Sequence, residues 1–187
     1  MGHRLLALTA LFAAACTNNS TGTKTPYHPD ASCPVTIDAP VTLAAKHVDV
    51  GTAVTYASNP PAGGPHYPVW ATWGVHTTLV PRPYYVHNLE HGGVVLLYKC
   101  DDAGTCASSE AFLKSVMAAM QTDTSCQPPV RVRVVITKDD AIPTPFAAAA
   151  WGWTYAAECA DMGSLLDFVK EHYGHGPENL CNDGQFQ

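Results

Sequence analysis

Two imidazoles and a carboxylate crowd into the heptapeptide His87-Asn88-Leu89-Glu90-His91-Gly92-Gly93. On a helical turn, His87, Glu90 and His91 stand at i, i+3 and i+4 and share a face, so their side chains can converge on one metal ion. On a strand, His87 and His91 again share a face, but their Cα atoms lie roughly 13 Å apart, too far for easy chelation. The spacing matches H-x-x-E-H, by which some zinc peptidases take two ligands and a general base from one helix. Gly92-Gly93 follows at once and leads into the apolar run Val94-Val95-Leu96-Leu97-Tyr98. Glycine is poor in helix interiors, so a long helix around the motif is not expected; a single turn capped by the glycines is the helical option.

Other residues extend the candidate site. His66 follows Gly63-Gly64-Pro65, a backbone able to approach a ligand closely, and is the best third imidazole; its plainer role is a ring capping a carbonyl in a rigid turn. His76 and His47 read as surface or packed residues. His172, His175 and Glu178 lie around the end of the last helical segment, and Glu178 precedes Cys181, through which a bridge could hold the tail near the His cluster. The leading reading is a metal site of His66, His87 and His91 with Glu90 as fourth ligand or partner, supported by Glu178 and His76. Copper leads zinc, because several neutral imidazoles suit copper(II). The second reading is a non-catalytic scaffold or partner-binding module whose His and Glu residues only hydrogen-bond the backbone. Its contact surface would be the Trp-rich loop from Pro65 to Pro83. A zinc hydrolase ranks last, and no Ser-His-Asp order, phosphate loop or dinucleotide fingerprint is present.

The elements that must position these residues are short. Asn59-Pro60-Pro61-Ala62-Gly63-Gly64-Pro65 breaks any regular element, and the chain reads as loop from there to Pro83. Val94 to Tyr98 is a buried strand. A helix opens at Ser108-Ser109-Glu110, with Phe112, Leu113, Val116, Met117 and Met120 on its apolar face. Val130 to Thr137 alternates as a half-buried strand, and Ala147 to Ala157 reads as one further strand. Asp161 to Tyr173 forms the last helix, with Leu165, Leu166, Phe168 and Val169 inward and Gly174 and Gly176 ending it. The expected class is α+β: a small, mostly antiparallel sheet with two helices on one face and a long Pro/Gly/Trp-rich loop region.

The ends and the cysteines bear on compartment. His3-Arg4, an apolar run from Leu5 and then Ala13-Ala14-Ala15-Cys16 form a secretory leader, residues 1–15, too short to span a membrane. A Cys after three small residues resembles the lipidation box of bacterial lipoproteins, so Cys16 is the expected site of a diacylglycerol anchor in the cell envelope; plain secretion is the alternative. Residues 16–32 read as anchor and flexible tether, and residues 33–187 as one globular domain. Of seven Cys, six remain beyond Cys16: Cys33, Cys100, Cys106, Cys126, Cys159 and Cys181. An even number in an exported domain implies three disulfides, and the loop between Cys100 and Cys106 is short enough to be stapled. Ten Lys and Arg against sixteen Asp and Glu give a net charge of −6 with no basic stripe. Nucleic acid is therefore excluded as a partner. The expected partner is the membrane, through the anchor; no feature specifies a protein partner.

Pro60-Pro61-Ala62-Gly63-Gly64-Pro65-His66, Trp73-Gly74-Val75, His87-Asn88-Leu89-Glu90-His91-Gly92-Gly93-Val94, Ala150-Trp151-Gly152 and Gly176-Pro177-Glu178 occur in that order. The series resembles the bacterial family called domain of unknown function 3105, found in exported, lipoprotein or membrane-anchored proteins. The likeness runs from about His47 to Glu178. Ala62 departs from it where Ser or Thr is usual, and His76 where Tyr is. It implies a shared fold and shared His and Glu positions, and no activity.

Overall fold

The computed structural model describes residues 32–187. The leader, Cys16 and nearly all of the tether lie outside the described residues. The fold is α+β, built on a six-stranded sheet in the order β1-β8-β7-β5-β6-β4. Its strands are β1 (Val35–Asp38), β4 (Gly74–Val75), β5 (Val94–Tyr98), β6 (Val134–Lys138), β7 (Phe146–Ala150) and β8 (Trp153–Ala157). The pairings from β1 through β8 and β7 to β5 are antiparallel, while β5-β6 and β6-β4 are parallel. A separate parallel pair joins β2 (Lys46–His47) to β3 (Pro65–His66). Among the described residues no helix is long and apolar enough to cross a membrane.

Two helices cover one face, as the apolar spacing implies. α2 (Ala103–Ala119) brings Leu113 and Val116, and α3 (Met162–His172) brings Leu165, Phe168 and Val169, against Val94, Leu96, Tyr98, Val134 and Ile136. α2 begins earlier than Ser108. The Asp102 side chain accepts a hydrogen bond from Thr105 N at 2.9 Å and caps a helix that starts inside the Cys100–Cys106 staple. The segment Ala147 to Ala157 is a hairpin rather than one strand. Trp151-Gly152 turns it, with Gly152 at φ +79°, a conformation that glycine adopts without strain.

The opposite face carries a third helix where a loop and at most a single turn are expected. α1 (Arg82–Glu90) runs nine residues and packs Tyr85, Val86 and Leu89 on Val95, Leu97, Val135, Ala147 and Ala149. The glycines do not oppose it, because they lie past its end. Gly92 N donates to Leu89 O and Gly93 N donates to Asn88 O, both at 2.9 Å, with Gly92 at φ +79°. That pair of bonds is the Schellman termination, which satisfies carbonyls the helix leaves free. Gly93 is needed for space: a Cβ there would run into the Trp73 ring and Asn88 O. At the other end Pro83 sits in the first turn, where no intrahelical N–H is required.

Three disulfides join Cys33 to Cys159, Cys100 to Cys106 and Cys126 to Cys181. The last holds the C-terminal tail. That tail crosses the end of α1, where Gly174 N donates to Gly92 O and Glu178 N to Glu90 O, at 2.8 and 2.9 Å. It then covers the Trp loop: Trp70 and Trp73 both donate their indole N–H to Asn182 O, and Phe186 stacks on Tyr84 at 4.1 Å.

Candidate metal centre

β2 and β3 make the first half of the site. In this parallel pair His47 is in register with His66, so both side chains project to the same side and their ring centroids lie 5.0 Å apart. α1 supplies the second half. His87, Glu90 and His91 share its face, with His91 at the C-cap. Tyr67 N donates to Pro83 O at 3.1 Å, which fastens the end of β3 to the start of α1 and brings the halves together.

The ring orientations are fixed by the backbone. His66 Nδ1 donates to Gly64 O at 2.8 Å, and His87 Nδ1 donates to Tyr67 O at 2.6 Å. In its neutral form each ring then presents Nε2 inward as a lone pair, the form that binds metal. His66 Nε2 is 2.9 Å from Glu90 Oε2, His87 Nε2 is 3.8 Å from it, and His47 Nε2 is 3.9 Å from it. Ligands about 2 Å from a tetrahedral ion are about 3.3 Å apart, so these separations bracket a coordination shell. His47, His66, His87 and Glu90 form one group able to hold a metal ion.

A second group adjoins the first through Glu90 and consists of Glu90, His91 and Glu178. His91 Nε2 lies 3.1 Å from His87 Nε2 and 3.3 Å from Glu178 Oε2. Unlike the other two buried rings, His91 has no backbone brace, since its Nδ1 is buried without a hydrogen-bond partner among the described residues. Asp123, Cys126 and Cys181 also cluster, but both sulfurs are consumed in a disulfide and offer no thiolate.

Burial, opposed by the Tyr67 carbonyl and joined by the neighbouring imidazoles of His91, His66 and His47, lowers the His87 imidazole to about 3. Burial also lowers His91, partly opposed by Glu178. Both rings are therefore neutral near pH 7. Trp70 covers them, its ring 4.9 Å from His87 and 4.5 Å from His91, and Trp151 stands edge-on to His66 at 6.4 Å.

The structure thus brings His66, His87 and Glu90 to one point and sets His91 beside it with Glu178. His76 stands apart, its Nε2 donating to Thr72 O at 2.8 Å next to the edge strand β4. His47, which reads as a surface or packed residue, is more than half exposed and joins the group as well. Its one local signal is that it opens the stretch in which the family likeness begins; the β2-β3 register that places it spans a long loop. In the Trp-rich loop the indole donors of Trp70 and Trp73 are committed to Asn182 O of the tail.

An α+β domain with paired His/Glu groups at the end of a buried helix defines the class. The chain belongs to the family described as Protein of unknown function (DUF3105), which matches residues 47–184 and so takes in every residue of both groups. No curated protein and no solved structure matches it.

Proposed function

We propose that this protein is a metal-binding domain of the bacterial cell envelope, holding a copper or zinc ion on His47, His66, His87 and Glu90. The supporting observation is the contact of His66 Nε2 with Glu90 Oε2 at 2.9 Å, while His66 Nδ1 donates to Gly64 O. A neutral imidazole so braced turns a lone pair toward a carboxylate oxygen. Two electron-rich atoms at that distance repel unless a cation, proton or metal, lies between them. Two further nitrogens close to the same oxygen, those of His87 and His47, favour the metal. Copper leads zinc because divalent copper binds nitrogen and oxygen donors more tightly, and an envelope protein meets copper outside the cytoplasm.

The envelope assignment rests on the leader pattern, on Cys16 as lipid acceptor, and on three disulfides, which persist in oxidising compartments. Elemental analysis of protein purified without a metal-affinity tag tests the metal: stoichiometric copper or zinc is expected, lost in His66→Ala and His87→Ala with the fold intact. Wild-type protein that takes up neither Cu²⁺ nor Zn²⁺ on dialysis refutes it. Detergent partitioning tests the anchor, which Cys16→Ser should abolish. Aqueous recovery of the wild type would remove that part.

A further inference from the structure

We infer that the site is dinuclear: a second metal ion binds between His91 and Glu178, with Glu90 shared as a bridging carboxylate. This inference rests on the single-ion reading above and adds a place that the reading does not use. Glu90 belongs to both donor groups, whereas His47 and His66 belong to one and His91 and Glu178 to the other. One ion with bonds of about 2 Å reaches donors no more than about 4 Å apart, so six donors arranged in two groups exceed what one ion can gather. His91 Nε2 and Glu178 Oε2, 3.3 Å apart, already have the spacing of two ligands on one ion.

The tail is built to deliver Glu178. Its backbone N–H is fixed to Glu90 O at 2.9 Å, Asn179 Oδ1 accepts from Arg133 Nη1, and Arg133 Nη1 also donates to His91 O at 2.8 Å. Cys181 is bonded to Cys126 three residues further on. A carboxylate placed only for solubility would need none of these ties.

Access is two-sided. The side chains of His47 and Glu178 are 56% and 50% exposed, whereas those of His66, His87, Glu90 and His91 are 10% or less. Each position therefore has a buried wall and one solvent-reached ligand to close it. The two positions differ in preparation. His66 and His87 are braced through Nδ1, and His91 is not. Loss of such a brace weakens metal binding by about 10–100-fold, so the second ion should bind that much more weakly than the first.

The experiment is calorimetric titration of metal-free, full-length protein with Zn²⁺, paired with electron paramagnetic resonance of the Cu²⁺-loaded protein. Wild type should take two equivalents in separable steps. At two equivalents of Cu²⁺ the spectrum should broaden and lose intensity, since ions sharing a carboxylate sit about 3.5–4 Å apart. Glu178→Gln, at a half-exposed position, should keep the tight step and lose the weak one. His47→Ala should weaken the tight step and spare the weak one. One equivalent in wild type overturns the dinuclear inference and leaves the single-ion reading standing; no uptake overturns both. Two full-intensity isolated copper signals, or a second step unchanged in Glu178→Gln, mean that the second ion lies elsewhere and also overturn it.

Discussion

Val94, Leu96 and Tyr98 of β5 look toward α2 and α3, and Val95 and Leu97 look toward α1, so one strand serves two cores of different chemistry. On the first face the helices bury spaced apolar residues and leave their other sides in water. On the second face every residue from Tyr85 to Glu90 is buried, including His87, Asn88 and Glu90. A helix enclosed all round must be covered by something besides the sheet, here the Trp loop and the C-terminal tail. The first face is held by apolar area; the second adds to the apolar contacts of Tyr85, Val86 and Leu89 the hydrogen bonds that its buried polar side chains require. The comparison teaches that a buried polar site can share a sheet with an ordinary core when a loop and a tail supply its far wall.

The largest test of the contrast is on the apolar face. Phe168 is fully buried against Tyr155 and His172, so Phe168→Ala should cost about 3–5 kcal/mol in thermal or denaturant unfolding. Metal stoichiometry at a temperature where the variant is still folded should not change. If metal is lost in proportion to stability, the two cores are one cooperative unit and the contrast fails. Next comes Asn88, whose amide is used at both ends: Oδ1 accepts from Ala71 N at 3.0 Å and Nδ2 donates to Ala71 O at 2.8 Å. Asn88→Ala orphans both backbone groups, at about 1–3 kcal/mol each, and should weaken metal binding by freeing the Trp70 cover. Asn88→Asp, the same size, should not rescue it, since one of its oxygens would face the Ala71 carbonyl.

That difference also decides what was legible in the sequence. The α3 helix could be read with its inward residues, because Leu165, Phe168 and Val169 recur at helical spacing behind an Asp161 cap. The Cys100–Cys106 staple was legible for the same local reason. α1 was not, because a helix buried on every side has no polar stripe to alternate with, and Gly92-Gly93 look like breakers until their hydrogen bonds show them to be a terminator. His47 escaped because its place depends on a strand pair closed over a long loop. The hairpin at Trp151-Gly152 escaped because its small residues are apolar on both sides of the turn. Residue types at the site could be read; which ones meet was a tertiary fact.

A smaller effect tests the tail as the link between the two faces. Burial pushes the Asp123 carboxyl up, but hydrogen bonds from Ser125 and Tyr173 and the Arg133 guanidinium outweigh it and bring it down to about 2. The folded value lies below the ordinary carboxylate value near 3.9. The stability it contributes is therefore full above about pH 4 and lost as pH falls through about 2. Asp123→Asn should be less stable at neutral pH and show a shallower decline between pH 4 and pH 2 in acid titrations followed by circular dichroism. Parallel curves for variant and wild type would deny the carboxylate this role.

The smallest expected effect is zero. With α1 in place, the helical setting that H-x-x-E-H requires is present, so absence of a helix no longer argues against hydrolysis. The position of Glu90 does. A peptidase of this kind keeps its glutamate off the metal and beside the bound water, where it accepts a proton. Here Glu90 Oε2 contacts His66 Nε2 at 2.9 Å and sits within 3.9 Å of His47 and His87, at the point those nitrogens share. A carboxylate that ligates is held on the ion rather than beside the bound water, where a general base must stand. Zinc-loaded protein should therefore turn over neither peptide nor ester substrates above the rate of the metal-free protein. Glu90→Gln should lower metal affinity rather than separate binding from turnover. Chelator-sensitive hydrolysis that disappears in Glu90→Gln while its zinc content stays unchanged would place Glu90 beside the water instead, and would make the polar face of this sheet an active site.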